Sequence, residues 1–153
     1  MFKDGRTLAP YRLVFEGRPV DVGGYFLSRP EANYVAVNAD PRGDARSIVY
    51  HEYLHSVLRN NYPGLPLWLH EGLAQLYSTF VEGRIGRPIE DHARFVQSNP
   101  LLPVSELFAL DVHSKDYHEG ARRKVFYAQT WALAHYLLVG SPSRRDLTLR
   151  YLR

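Results

Sequence analysis

His51-Glu52-Tyr53-Leu54-His55, followed by Trp68-Leu69-His70-Glu71-Gly72-Leu73-Ala74, is the stretch on which the reading of this chain turns. If residues 46–59 form a helix, His51 and His55 lie four positions apart and, at about 100° per residue, stack one turn apart on one face. Two imidazole nitrogens then reach one ion. Glu52, rotated by about 100° from His51, stands beside that face, where a carboxylate can take a proton from an attacking water. Asp44 or Ser47 is placed to cap the helix; Ile48, Val49, Leu54, Val57 and Leu58 supply apolar positions at three- and four-residue spacing; and Asn60-Asn61-Tyr62-Pro63-Gly64 ends it.

A second helix is expected from near Pro66 or Leu67 through Leu69, Leu73, Leu76, Tyr77 and Phe80 until Gly83. The interval between His55 and Glu71 lets the first helix finish, turn through Pro63-Gly64 and return antiparallel, so that a third ligand faces the imidazole pair. His70 and Glu71 compete for that place, and about 100° separates them on the helix, so only one can face the ion. Two imidazoles, a third side-chain ligand and an adjacent base are the parts of a catalytic zinc centre, whose fourth position is left to water.

Before this pair of helices the chain reads as β: Tyr11-Arg12-Leu13-Val14-Phe15, a Gly17-Arg18-Pro19 turn, Gly24-Tyr25-Phe26-Leu27, and Tyr34-Val35-Ala36-Val37-Asn38. The expected organisation is therefore one α+β domain over residues 1–153. A β-rich lobe at 1–43 holds a small mixed sheet, and a mostly helical part at 44–153 carries the metal-binding helix and the later helices. The 153 residues, 45% of them hydrophobic, suffice for one sizeable core. No stretch reaches the apolar length of a membrane span, and no basic segment followed by an apolar one opens the chain as a signal peptide would. Asp146-Leu147-Thr148-Leu149-Arg150-Tyr151-Leu152-Arg153 reads as an amphipathic helix that does not finish, which suggests a domain excised from a longer parent, one compatible with an extracytoplasmic place. The lack of cysteine excludes disulfides and thiolate-bound metal while fitting either redox compartment.

The net charge of +3 is dominated by arginine, with clusters at Arg122-Arg123-Lys124 and Arg144-Arg145. No nucleic-acid motif accompanies them, and they read as solvated faces near helix ends. Arg42-Gly43-Asp44 reads as a turn into the helix N-terminus. His113 and His118 fall in a polar stretch and His135 on an apolar helix, positions that suit solvated and packed histidines rather than ligands.

HEYLH followed by PLWLHEGLAQLY resembles the gluzincin metallopeptidases, and most closely the small peptidase-MA-like domains of bacterial proteins, whose third ligand is a Glu in a WxxEGxA-type helix. Phe126-Tyr127-Ala128-Gln129-Thr130-Trp131-Ala132-Leu133-Ala134-His135-Tyr136-Leu137-Leu138 resembles the helix that follows the site in those domains, so the resemblance spans about residues 20 to 140. It implies a zincin-like fold, a Zn²⁺ cofactor held by His51, His55 and Glu71, and Glu52 as general base. It also implies a tyrosine that stabilises the oxyanion, for which Tyr127, at the head of the long helix, is the best placed and Tyr117 the second. The related helices commonly carry an acid one turn after the ligand Glu, where it orients a ligand imidazole; this chain has Gln75, an amide that accepts a hydrogen bond but carries no charge. In zincins the strand before the metal-binding helix commonly lines the cleft, which would give that role to Tyr34–Asn38. The activity expected is hydrolysis of peptide bonds in a peptide or protein substrate, with no nucleic-acid partner and no membrane insertion. The alternative is a catalytically silent zinc-containing domain of a larger envelope protein that binds a peptide or partner in the same cleft.

Overall fold

A computed structural model of the chain describes residues 2–12, 14–15, 17–19, 23–38, 44–118 and 120–152. The architecture is α+β, with every named strand before Asp44 and the bulk of the helices after it. The order is α1 (Gly5–Leu8), a 3-10 turn (Ala9–Tyr11), β1 (Val14–Phe15), β2 (Arg18–Pro19), β3 (Gly24–Ser28), β4 (Asn33–Val37), α2 (Ala45–Asn61), α3 (Leu67–Ser78), α4 (Glu90–Ser98), α5 (Val104–Ala109), α6 (Lys115–His118), α7 (Gly120–Leu138) and α8 (Pro142–Tyr151). None of the described helices is long and apolar enough to cross a membrane.

The first residues depart from the expected strand. Asp4 accepts from the backbone N–H groups of Arg6 and Thr7 while the Thr7 hydroxyl accepts from the Asp4 N–H, a reciprocal cap that starts α1, and Pro10 then sits in the first turn of the 3-10 segment. Tyr11 is thus helical, Leu13 lies outside the described residues, and β1 keeps only Val14–Phe15. Gly17, at φ +76°, makes the turn, and Arg18–Pro19 already belong to β2. Arg42 and Gly43 likewise lie outside the described residues.

β3 and β4 form an antiparallel hairpin with Gly24 opposite Val37 and Ser28 opposite Asn33, and Phe2 meets Asn38 in a single parallel bridge on the far edge of β4. Bonds from Asn38 N–H to the Gly23 carbonyl and from Arg29 N–H to the Ala32 carbonyl fix the alternation. Tyr25 and Leu27 turn their backbone groups toward β4, whereas those of Gly24, Phe26 and Ser28 face away from it.

Asp44 caps α2, its carboxylate accepting from the Ser47 N–H at 3.1 Å. α2 ends in the Tyr62–Gly64 turn, as its sequence requires, and α3 returns against it and against α7. α3 is the central element, with Trp68, Leu69, Glu71, Gly72, Leu73, Ala74, Leu76 and Ser78 all buried. It stops before the expected Gly83 because the Ser78 and Thr79 hydroxyls bond back to the Gln75 and Leu76 carbonyls and Glu82 and Gly83 turn to positive φ. Gly72 is the point of closest approach to α7: a methyl group there would stand 2.5 Å from the Thr130 carbonyl oxygen and 3.1 Å from the Ala134 methyl. Leu58, Trp68, Leu69, Leu73, Leu102, Leu107 and Phe126 form the core that holds these helices together. The buried Gln129 amide ties the α4–α5 connection to α7, bonding both the N–H and the carbonyl of Leu102.

Candidate metal centre

Antiparallel packing of α2 on α3 brings His51, His55 and Glu71 together, with one ligand atom from each lying within 4.8 Å of the other two. The Nε2 atoms of His51 and His55 are 3.0 Å apart, and Oε2 of Glu71 is 3.6 Å from each. Glu71 is 2% exposed, yet its Oε2 has no hydrogen-bond partner. A buried carboxylate oxygen without a donor is costly. Three converging nitrogen and oxygen donors, one of them orphaned, are what a cation would satisfy, so the residues fit a metal ion.

Groups behind the donors hold their other ends. The Tyr117 hydroxyl on α6 donates to Oε1 of Glu71 at 2.7 Å. Nδ1 of His55 is 2.9 Å from Nδ1 of His70, the two rings lying 9° from parallel. The backbone of Ala74 adds a smaller upward pull on the His51 pKa. Of the two rivals on α3, Glu71 therefore faces the imidazole pair, and His70 stands behind His55. Gln75, partly buried, lines the hollow beside His51.

Electrostatics sort the side chains by role. Burial opposes the charge on Glu71, but the facing imidazoles and the Tyr117 hydroxyl hold its carboxyl well below the ordinary range and keep it ionised. Burial takes His55 down to about 4 and also lowers His70, whereas at His51 the Glu71 and Glu52 carboxylates overcome burial and raise it. Glu52, 8% exposed, is pushed up to about 7 by burial and then by Glu71, against the pull of His51 and a hydrogen bond from the Phe26 backbone N–H. A cation at the neighbouring donors would draw it down again. Burial raises both the Tyr117 and Tyr127 phenols, as does the charge on Glu71, so both remain protonated donors.

Two hollows open on the centre, of about 770 Å³ toward α4 and about 640 Å³ toward the α5–α6 segment, and both are lined by Gly24, His51, Glu52 and Tyr127. The strand along them is β3, through Gly24, Tyr25 and Phe26, and not Tyr34–Asn38. β4 is turned away because Phe2 occupies its far edge at Val37, while Gly24 of β3 lies directly over Ile48 and Glu52 of α2. Tyr127 reaches the centre from well inside α7, which begins at Gly120, rather than from the head of that helix; Tyr117 lies 6.1 Å from it, ring to ring, and is occupied by Glu71.

The remaining sequence candidates lie elsewhere. His113 is exposed, His118 bonds the Val112 carbonyl, and His135 bonds the Gly86 carbonyl beside Trp131. Arg122 pairs with Glu106 and Asp116, and Arg123 lies over the Tyr127 ring. Sequence reasoning did not anticipate the parts played by His70, Tyr117 and the Phe26 backbone. Each is a contact between separate elements, and only the adjacency of His70 to Glu71 carried any local signal. Comparison with protein-family models, with curated proteins and with solved structures returned no match.

Proposed function

We propose that this chain is a zinc-dependent peptidase of gluzincin type with a zincin-like fold. The observation that carries the reading is the convergence of His51, His55 and the orphaned Glu71 oxygen beside the buried Glu52 carboxylate, at the meeting point of two hollows.

His51, His55 and Glu71 would hold the ion. When bound, zinc supplies a Lewis acid for the scissile carbonyl and lowers the pKa of a water ligand toward about 7. Glu52 accepts a proton from the attacking water on its carboxylate and delivers it to the leaving nitrogen. The Phe26 N–H favours the ionised carboxylate, and burial opposes the ion's downward pull on its pKa. Tyr127, protonated and open to both hollows, donates to the oxyanion as it develops. A peptide passing from one hollow to the other crosses His51 and Glu52.

The test is elemental analysis of purified wild type, Glu71→Ala and Glu52→Gln, with a peptide-library screen of each. One zinc per chain in wild type, lost on mild chelation from Glu71→Ala, together with cleavage abolished in a zinc-loaded Glu52→Gln, is expected. Turnover retained in Glu52→Gln would remove the base from the mechanism. Zinc without cleavage of any peptide would favour the silent, partner-binding role.

A further inference from the structure

We infer that Tyr117 and His70 are positioning residues of the metal centre, Tyr117 fixing Glu71 as a one-oxygen donor and His70 fixing the tautomer and direction of His55. The inference rests on the metal-centre reading above and concerns side chains that do not themselves face the ion.

The two oxygens of Glu71 are unequal. Oε1 receives the Tyr117 hydroxyl at 2.7 Å, which leaves Oε2 alone to point at the imidazoles, 3.6 Å from both. A buried carboxylate pinned at one oxygen presents the other in a single direction, and a hydrogen bond to a charged group in such a site is among the stronger kinds. His55 and His70 approach Nδ1 to Nδ1 at 2.9 Å, so one proton lies between two nitrogens. If His55 is to offer a lone pair at Nε2, its own proton must sit on Nδ1 and be donated to Nδ1 of His70, which then carries its proton at Nε2. The near-parallel rings, 4.8 Å apart at their centroids, suit that in-plane bond. Each support comes from a different helix from the ligand it holds: α6 braces a ligand on α3, and α3 braces a ligand on α2. Partners of this kind typically contribute about 10- to 100-fold in metal affinity.

Competition for Zn²⁺ against a chromogenic chelator, run on wild type, Tyr117→Phe, His70→Ala and His70→Asn, tests this. Phe keeps the Tyr117 ring in its contact with Phe126, and Asn places an acceptor oxygen near the position of the imidazole Nδ1. The expected result is about 10- to 100-fold weaker zinc binding in Tyr117→Phe and His70→Ala, with recovery in His70→Asn. The visible spectrum of the Co²⁺-loaded Tyr117→Phe protein should also shift at full occupancy. Variants that bind zinc as tightly as a zinc-binding wild type overturn the inference and leave the metal centre standing. So do a loss of affinity in His70→Ala that Asn does not recover and a Co²⁺ spectrum of Tyr117→Phe identical to that of wild type. Zinc bound by none of the proteins, wild type included, overturns the metal centre and this inference with it.

Discussion

Tyr127 is a test of the site at the scale of one atom. Tyr127→Phe removes a hydroxyl and keeps the ring on which Arg123 lies. For the proposed peptidase, kcat should fall by about 10²–10³ with KM little changed, the signature of a donor used mainly in the transition state. An equal rate in steady-state assays of the zinc-loaded variant would hand the role to another group. At this scale the ligands are readable from sequence because a helix converts spacing into direction: four residues place His51 and His55 on one face, and one residue sets Glu52 aside. Tyr117 and His70 are not, since the resemblance suggests an alternative oxyanion donor for the first and local spacing a rival ligand for the second. Their partners, Glu71 and His55, are fixed by how α6, α3 and α2 pack, which no local spacing encodes.

Between elements, two glycines set the approach distances that make the site. An added methyl at Gly72 meets the Thr130 carbonyl oxygen, a backbone atom unable to swing away, so Gly72→Ala should cost about 1–3 kcal/mol as an overpacked helix crossing. At Gly24 the methyl would meet Ile48 at 2.6 Å and the Ala36 carbonyl at 2.8 Å, with the Glu52 Cγ at 3.6 Å. For the proposed peptidase, Gly24→Ala should therefore lose activity beyond what its lower Tm explains, because β3 carries the Phe26 N–H that favours the ionised form of the proposed base. Thermal melts paired with kcat of the zinc-loaded proteins separate the two, and a Gly24→Ala enzyme with full kcat would break the link between β3 and Glu52. Strong local punctuation makes α2 and the start of α3 legible: Asp44 caps one, and Pro63, Gly64 and Pro66 separate them. The cap from Asp4 to Thr7 is hidden beside a stretch rich in β-formers, and the choice between β3 and β4 as the cleft strand depends on Phe2, which is remote in sequence.

For the whole molecule, acid stability has an identifiable contributor in His92. Its ring lines the α4-side hollow with a buried Nε2 that lacks a hydrogen-bond partner, and burial first, then the charge on His51, lowers its pKa below 6.5 against the pull of Asp91. The unfolded chain then takes up this proton first as pH falls. The protonation of His92 accordingly takes no stability above about pH 6.5 and subtracts it progressively below, down through the folded pKa. His92→Gln should flatten the fall in Tm between about pH 7 and 5 in calorimetry of the ion-free protein; parallel profiles for the two proteins would assign the acid sensitivity elsewhere.

Within residues 70–74 of α3 lie a proposed metal ligand, the brace of another and the glycine of the tightest crossing. Such a segment has no local way to open. Amide protons of Glu71 to Ala74 should exchange with deuterium only when the entire chain unfolds, at the slow limit seen anywhere in the protein. Zinc should therefore slow exchange across the molecule and not merely beside the site, by a factor that grows as the ratio of free zinc to its dissociation constant. Protection confined to α2 and α3 in a mass-resolved exchange experiment would mean that the centre is loaded by local opening instead. With one proposed ligand, the brace of another and much of the core on α3, the interior of the protein and the proposed centre form one cooperative unit, so a cell that withholds the ion should shorten the lifetime of the fold itself.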